Sequence, residues 1–226
     1  MVKIPSRLRL LRQSGLVLLA ALLPVALPAK PADWVGEIDA LTRDDAAHSP
    51  APGGIVFVGS SSIRFWATLT EDFPGLPVIG RGFGGSELAD SVHYLDRLVL
   101  PYRPRLVVLY AGENDINAGK SPEAVADDFR EFCVRLQTAL PAARILYIAM
   151  KPSPSRWAKH EQLERGNALI AAACARDPRL TFVDVWPAML DAQGQPRPEL
   201  FRPDMLHMKP AGYAIWVRLL TPLLQP

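Results

Sequence analysis

The sequence predicts an α/β protein, a three-layer α/β/α sandwich built on a five-stranded parallel sheet. Three observations carry that expectation. Short apolar runs recur along the chain, the clearest being Leu106-Val107-Val108-Leu109-Tyr110, and unbroken runs suit strands covered on both faces. Longer stretches with apolar residues at helical spacing separate them. Strand and helix alternate five times, and most of the helices are long enough for parallel crossovers. The chain length, 226 residues, fits one domain with a real core and a short appendage.

Residues 33–46 read as a short amphipathic helix, with Trp34, Ile38 and Leu41 on one side. Pro50, Pro52, Gly53 and Gly54 then break the chain. Residues 55–58 form the first strand, with Gly59 behind it, and residues 63–69 a short helix. A second short strand at 78–79 ends at Gly80. Residues 86–98 are helical, with Leu88, Val92, Leu95 and Leu98 on one face. The third strand spans 106–110. A helix over 122–140 follows, for which Ser121 is a natural N-cap and Pro122 suits the first helical position. Then come a strand at 145–149, a helix at 162–176, a strand at 181–185 and a closing helix over 213–220 begun near Pro210. No internal repeat is present. The expected organisation is a leader over 1–29, a helix and Pro/Gly linker over 30–53, and the main domain over 54–226.

Composition removes several classes. Hydrophobic residues at 49% and charged residues at 21% are ordinary for a globular chain. Two cysteines cannot build a disulfide scaffold or a four-cysteine zinc site. His48, His93, His160 and His207 form no ligand-spaced cluster, so no metal and no cofactor is expected. The net charge of +2 includes Lys3, Arg7, Arg9 and Arg12; without them it is −2. A mildly acidic main domain argues against a dedicated nucleic-acid binder.

Those four cations precede the apolar run GLVLLAALLPVALPA at 15–29, and residues 1–29 contain no Asp or Glu. Basic start, apolar middle and small-residue end make the pattern of a secretory signal peptide. The run is shorter than the ~20 residues of a membrane span and is broken by Pro24. Cleavage is expected after Ala29, with Ala26 and Ala32 as neighbouring sites and an uncleaved anchor as the competing reading. A periplasmic or secreted protein without a stable membrane anchor follows. Export would put Cys133 and Cys174 where disulfides persist; two separate buried thiols is the favoured reading, and the sequence leaves the pairing open. It also leaves the oligomeric state open.

In parallel sheets, sites form beyond the carboxyl ends of the strands. The segments to inspect are therefore 59–62, 80–86, 111–115, 151–157 and the late loop before the last helix. After strand one stand Gly59-Ser60-Ser61-Ser62. A serine at a helix start sits near unpaired N–H groups that can hold an oxyanion, though a serine there can also just cap the helix. After strand two, Gly80, Gly82 and Gly85 match G-x-G-x-x-G formally. The match is weak, because a dinucleotide motif should follow the first strand and be answered by an acid ~20 residues on. After strand three, Gly112-Glu113-Asn114-Asp115 offers an amide donor in Asn114, or merely an Asx turn. Late in the chain, Asp204 and His207 stand in a D-x-x-H spacing. That spacing lets a carboxylate orient an imidazole that serves as base; a surface acid beside a structural histidine would look the same.

Taken together, V-G-S-S-S, G-F-G-G-S, G-E-N-D and D-M-L-H resemble the four separated blocks of the SGNH (GDSL-type) hydrolase family, from about Gly54 to the C-terminus. The resemblance implies a flavodoxin-like parallel sheet. It also implies catalytic Ser61, Asp204 and His207, and an oxyanion hole of Ser61, Gly85 and Asn114. One departure stands out: the family usually reads Gly-Asp-Ser where this chain has Gly59-Ser60-Ser61, similar to the esterase subgroup with G-S-S-S-I. An α/β-hydrolase elbow, G-x-S-x-G, is not matched, because Ile63 holds the last glycine's place. The activity implied is an exported serine esterase that passes through an acyl-enzyme. Its partners would be small-molecule, glycan or lipid esters. An acyl transferase acting on a glycan and a non-catalytic glycan-binding module of the cell envelope are the rival expectations. Trp66, Trp157 and Phe83 are aromatic candidates for a pocket wall, with packing as their simpler role.

Overall fold

The computed structural model describes Met1, residues 34–43, Asp45 and residues 50–225. Apart from Met1, the expected leader and its cleavage site lie outside the described residues. Strands β1 (Ile55–Gly59), β2 (Val78–Gly82), β3 (Leu106–Tyr110), β4 (Arg144–Ile148) and β5 (Leu180–Val183) form one sheet in the order β2-β1-β3-β4-β5. Every pair is parallel. Nine α-helices accompany them among the described residues: α1 (Val35–Thr42), α2 (Ser61–Arg64), α3 (Leu69–Asp72), α4 (Leu88–His93), α5 (Leu95–Leu98), α6 (Glu113–Ala118), α7 (Pro122–Ala139), α8 (His160–Cys174) and α9 (Pro210–Leu224). None of the described helices is long and apolar enough to cross a membrane.

Strand side chains alternate between two cores. Val56, Val58, Val107, Leu109, Ile145 and Tyr147 face one side, where Leu88, Leu95, Phe129, Phe132 and Ile170 cover them. Ile55, Phe57, Leu106, Val108, Leu146 and Ile148 face the other, against Trp66, Tyr213, Trp216 and Leu220. Burial on both faces explains why these strands read as continuous apolar runs rather than as alternating ones. The sheet order places a topological switch between β1 and β3, and sites of open parallel sheets form beyond the strand ends at such a switch.

Several elements differ from the sequence reading. The helix expected over 63–69 is two short helices, α2 and α3, and that expected over 86–98 divides into α4 and α5 around Tyr94. β2 does not stop at Gly80 but pairs with β1 as far as Gly82. Its last glycine lies under α2, where an added Cβ would come 2.3 Å from the Arg64 amide nitrogen. The glycine there serves a close helix approach, which on paper is indistinguishable from a turn. Trp66 and Phe83 are buried packing residues, and Trp157 packs against the core. Cys133 in α7 and Cys174 in α8 are buried free thiols.

Candidate active site

The first strand delivers its serine by a glycine turn. Gly59 has φ +133°, and a Cβ on it would sit 1.9 Å from the Tyr110 carbonyl oxygen. Only glycine lets the chain leave β1 that close to the end of β3. The Ser60 N–H then donates to the Tyr110 carbonyl at 2.9 Å, and α2 begins at Ser61. The hydroxyl of Ser60, the N-cap residue, makes no capping bond. Ser60 and Ser62 are buried, whereas the Ser61 Oγ lies 3.0 Å from His207 Nε2. Of the three serines, Ser61 is the one joined to the imidazole.

The second imidazole nitrogen, Nδ1, lies 2.7 Å from Asp204 Oδ2. The other oxygen of Asp204 accepts from the backbone N–H groups of Leu206 and His207, each at 2.9 Å. One carboxylate therefore shapes the turn and orients the ring. Met205 occupies the left-handed region in that turn, at φ +55°. The turn is also closed by the Arg202 N–H donating to the His207 carbonyl at 2.7 Å. Phe65, at the end of α2, meets the His207 ring edge to face, with centroids 4.8 Å apart. Partial burial would raise the Asp204 carboxyl, but the His207 ring and the two backbone donors outweigh it and bring it down to about 2. Asp204 is thus ionised throughout the neutral range.

Gly85 and Asn114 follow β2 and β3, the two strands that flank β1. Gly85 has φ +71°, and its N–H has no acceptor among the described residues. Asn114 lies in the first turn of α6, not in a loop. Its Nδ2 donates to the Ser86 carbonyl at 2.8 Å, and its Oδ1 accepts from Arg156 Nη2 at 2.8 Å. The next residue, Asp115, accepts from the Leu88 N–H at 3.0 and 3.2 Å. Consecutive side chains of α6 thereby hold both sides of the 86–88 segment that carries on from Gly85.

Beneath Asn114 lies a buried polar network that the sequence reading did not assign. Glu113 binds Lys151 Nζ at 2.6 Å, Ser153 Oγ at 3.0 Å and the Tyr110 hydroxyl at 2.5 Å. Arg156 Nη1 is 3.7 Å away on its outer side. Burial pushes the Glu113 carboxyl up, but the Lys151 and Arg156 cations outweigh it and hold it below the ordinary carboxylate range. The signal was present in part: segment 151–157 follows a strand, and it carries Lys151 and Arg156. Nothing in the spacing, however, tied these cations to an acid some forty residues earlier.

A model of the GDSL-like lipase/acylhydrolase family matches residues 46–215. The platelet-activating factor acetylhydrolase IB subunit alpha1 of Pongo abelii is 28% identical over 183 residues, 75% of this chain and 74% of that protein. A solved chain from Streptococcus pneumonia whose name refers to platelet activating factor superposes with a TM-score of 0.75 at 20% identity, covering 86% of this chain and 96% of its own. A GDSL-like lipase from Bacteroides thetaiotaomicron gives 0.66 at 20% identity, with 86% and 97% covered. The two structures speak to the fold.

Proposed function

The chain belongs to the GDSL-like lipase/acylhydrolase family and is a carboxylic ester hydrolase, and from that premise we propose a serine esterase mechanism centred on Ser61. The observation that carries it is the chain of contacts from Ser61 Oγ to His207 Nε2 at 3.0 Å and from His207 Nδ1 to Asp204 Oδ2 at 2.7 Å. Ser61 Oγ attacks the ester carbonyl carbon while His207 Nε2 takes its proton. Asp204, ionised and already bonded to Nδ1, stabilises the imidazolium. The tetrahedral oxyanion collapses and expels the alcohol, which receives the proton from His207. Water then attacks the acyl-Ser61 ester with His207 again as base, releasing the carboxylic acid.

The oxyanion is held by the N–H groups of Ser61 and Gly85 and by the Asn114 amide. Ser61 opens α2, so its N–H has no intrahelical partner, and Gly85's N–H has no acceptor among the described residues. Short acyl esters of small alcohols, glycans or lipids are the substrate class. The acetylhydrolase relatives support the short acyl group. With its basic, apolar N-terminus, the enzyme acts in the periplasm or outside the cell.

Hydrolysis of p-nitrophenyl esters of increasing chain length tests this reading. The acetate is expected to be cleaved fastest, and Ser61→Ala or His207→Ala to lower kcat by roughly 10⁴–10⁶. Turnover by Ser61→Ala at the wild-type rate would overturn it.

A further inference from the structure

Resting on the oxyanion reading above, we propose that Arg156 is a positioning residue that fixes which end of the Asn114 amide faces the reacting ester. A carboxamide is planar and nearly symmetric in shape, so packing alone does not tell its oxygen from its nitrogen; hydrogen bonds do. Here two partners of opposite kind decide. The Ser86 carbonyl can only accept, and it faces Nδ2 at 2.8 Å. The Arg156 guanidinium can only donate, and it faces Oδ1 at 2.8 Å. Turning the amide over would set oxygen against oxygen at Ser86 and N–H against N–H at Arg156. Both bonds would be lost together. The orientation present leaves the second N–H of Nδ2 free to donate, which is what a developing oxyanion requires. The inverted orientation would present a lone pair to it.

Arg156 is itself fixed in place. Its side chain is 12% exposed and lies against Glu113, 3.7 Å from Oε1. Glu113 is locked by Lys151, Ser153 and Tyr110. Arg156 follows β4, in a short 3-10 segment, Pro154–Lys159. The Ser155 N–H ties that segment to the Met205 carbonyl at 3.1 Å, inside the turn that carries Asp204 and His207. A buried acid behind β3 therefore sets a guanidinium, the guanidinium sets an amide, and the same loop braces the histidine turn. A cation on the amide oxygen also polarises the group and strengthens its remaining N–H as a donor. No other polar contact to the Asn114 side chain accompanies these two among the described residues.

A double-mutant cycle on kcat and KM for p-nitrophenyl acetate tests the proposal, using Arg156→Ala, Asn114→Ala and the double variant. Asn114→Ala is expected to lower kcat by about 10²–10³. Arg156→Ala should lower it by about 10- to 100-fold with KM little changed, and Arg156→Lys, which keeps one donor, by less. In the Asn114→Ala background, removal of Arg156 should change kcat by less than about threefold, because no amide remains to orient. A full Arg156 loss in that background would overturn the proposal, since Arg156 would then act on substrate or on the fold independently of Asn114. So would an unchanged kcat in Arg156→Ala. If Asn114→Ala itself turns over normally, the oxyanion reading falls, and this proposal with it. Melting temperatures of all variants identify losses due to unfolding, and Arg156→Lys provides a milder variant for the same cycle if Arg156→Ala does not fold.

Discussion

Asp204 performs two tasks with two oxygens, and its chemistry can be read separately from catalysis. Oδ1 closes the turn through the Leu206 and His207 N–H groups, and Oδ2 holds the ring. Its carboxyl is brought down to about 2 in the folded chain, against ~3.9 in the unfolded one. Between those values the unfolded state binds more protons, so stability rises with pH there. The contribution is complete above about pH 4 and is lost as pH falls toward 2. The side chain is 48% exposed, so the effect on stability is small. In Asp204→Asn the melting temperature should lie below that of the wild type near pH 6, and the gap should narrow below pH 4 and close as pH falls through about 2. A constant gap across that range would mean that the carboxylate's charge is not what the turn uses. Catalytically, Asp204 stays ionised from pH 5 to 8, so its own protonation does not limit kcat/KM in that range. At this scale the sequence was informative about types and spacing. D-x-x-H is local, and one turn of chain suffices to join its ends. The choice among Ser60, Ser61 and Ser62 was not local. It depends on where a histidine 146 positions away arrives, and only the packed sheet decides that.

The elements show where local pattern suffices and where tertiary contact overrides it. β3 and α7 follow the sequence reading closely, because an unbroken apolar run and a Ser-Pro start are strong local signals. The Ser121 hydroxyl accepts from the Ala124 N–H at 3.2 Å. Ser121→Ala should cost about 1 kcal/mol and lower Tm by roughly 2–4 °C, with kcat unchanged. Scanning calorimetry beside a p-nitrophenyl acetate assay checks both halves. Gly59→Ala should behave differently. Its Cβ would fall 1.9 Å from the Tyr110 carbonyl oxygen at a backbone angle of +133°, so β1 and β3 must separate or the turn must be rebuilt. A loss of more than about 3 kcal/mol is expected, together with loss of activity, because the same turn presents Ser61. A Gly59→Ala protein as stable and active as the wild type would contradict the account of how the serine is displayed. α6 was not legible. In the sequence the segment stands out only as a polar cluster after a strand, and the ion pairs of the buried Glu113 with Lys151 and of Asp115 with Lys120 leave no mark in the local pattern.

Across the whole molecule, the segments after β1, β2, β3 and β4 and one late turn are joined by hydrogen bonds, Ser61 with His207, Asn114 with Ser86 and Arg156, and Ser155 with Met205, beside the switch in strand order. The fold class was readable because alternating apolar runs and long amphipathic stretches admit few other arrangements. The buried Glu113 network was not, because its charge pairs with Lys151 and Arg156 join residues far apart in the chain and leave no periodic trace. For the leader we propose removal after Ala29, leaving 197 residues; N-terminal sequencing of protein recovered from an expressing bacterium should begin at Lys30. Full-length protein held in the membrane would reverse that assignment. The central claim is that Ser61 is the nucleophile of an ester hydrolase, and labelling by a fluorophosphonate followed by peptide mapping tests it most directly. The account predicts a single adduct on the Ser61 oxygen, absent from a folded Ser61→Ala protein and retained in Ser60→Ala and Ser62→Ala. An adduct on another residue, or labelling that survives Ser61→Ala, would contradict it.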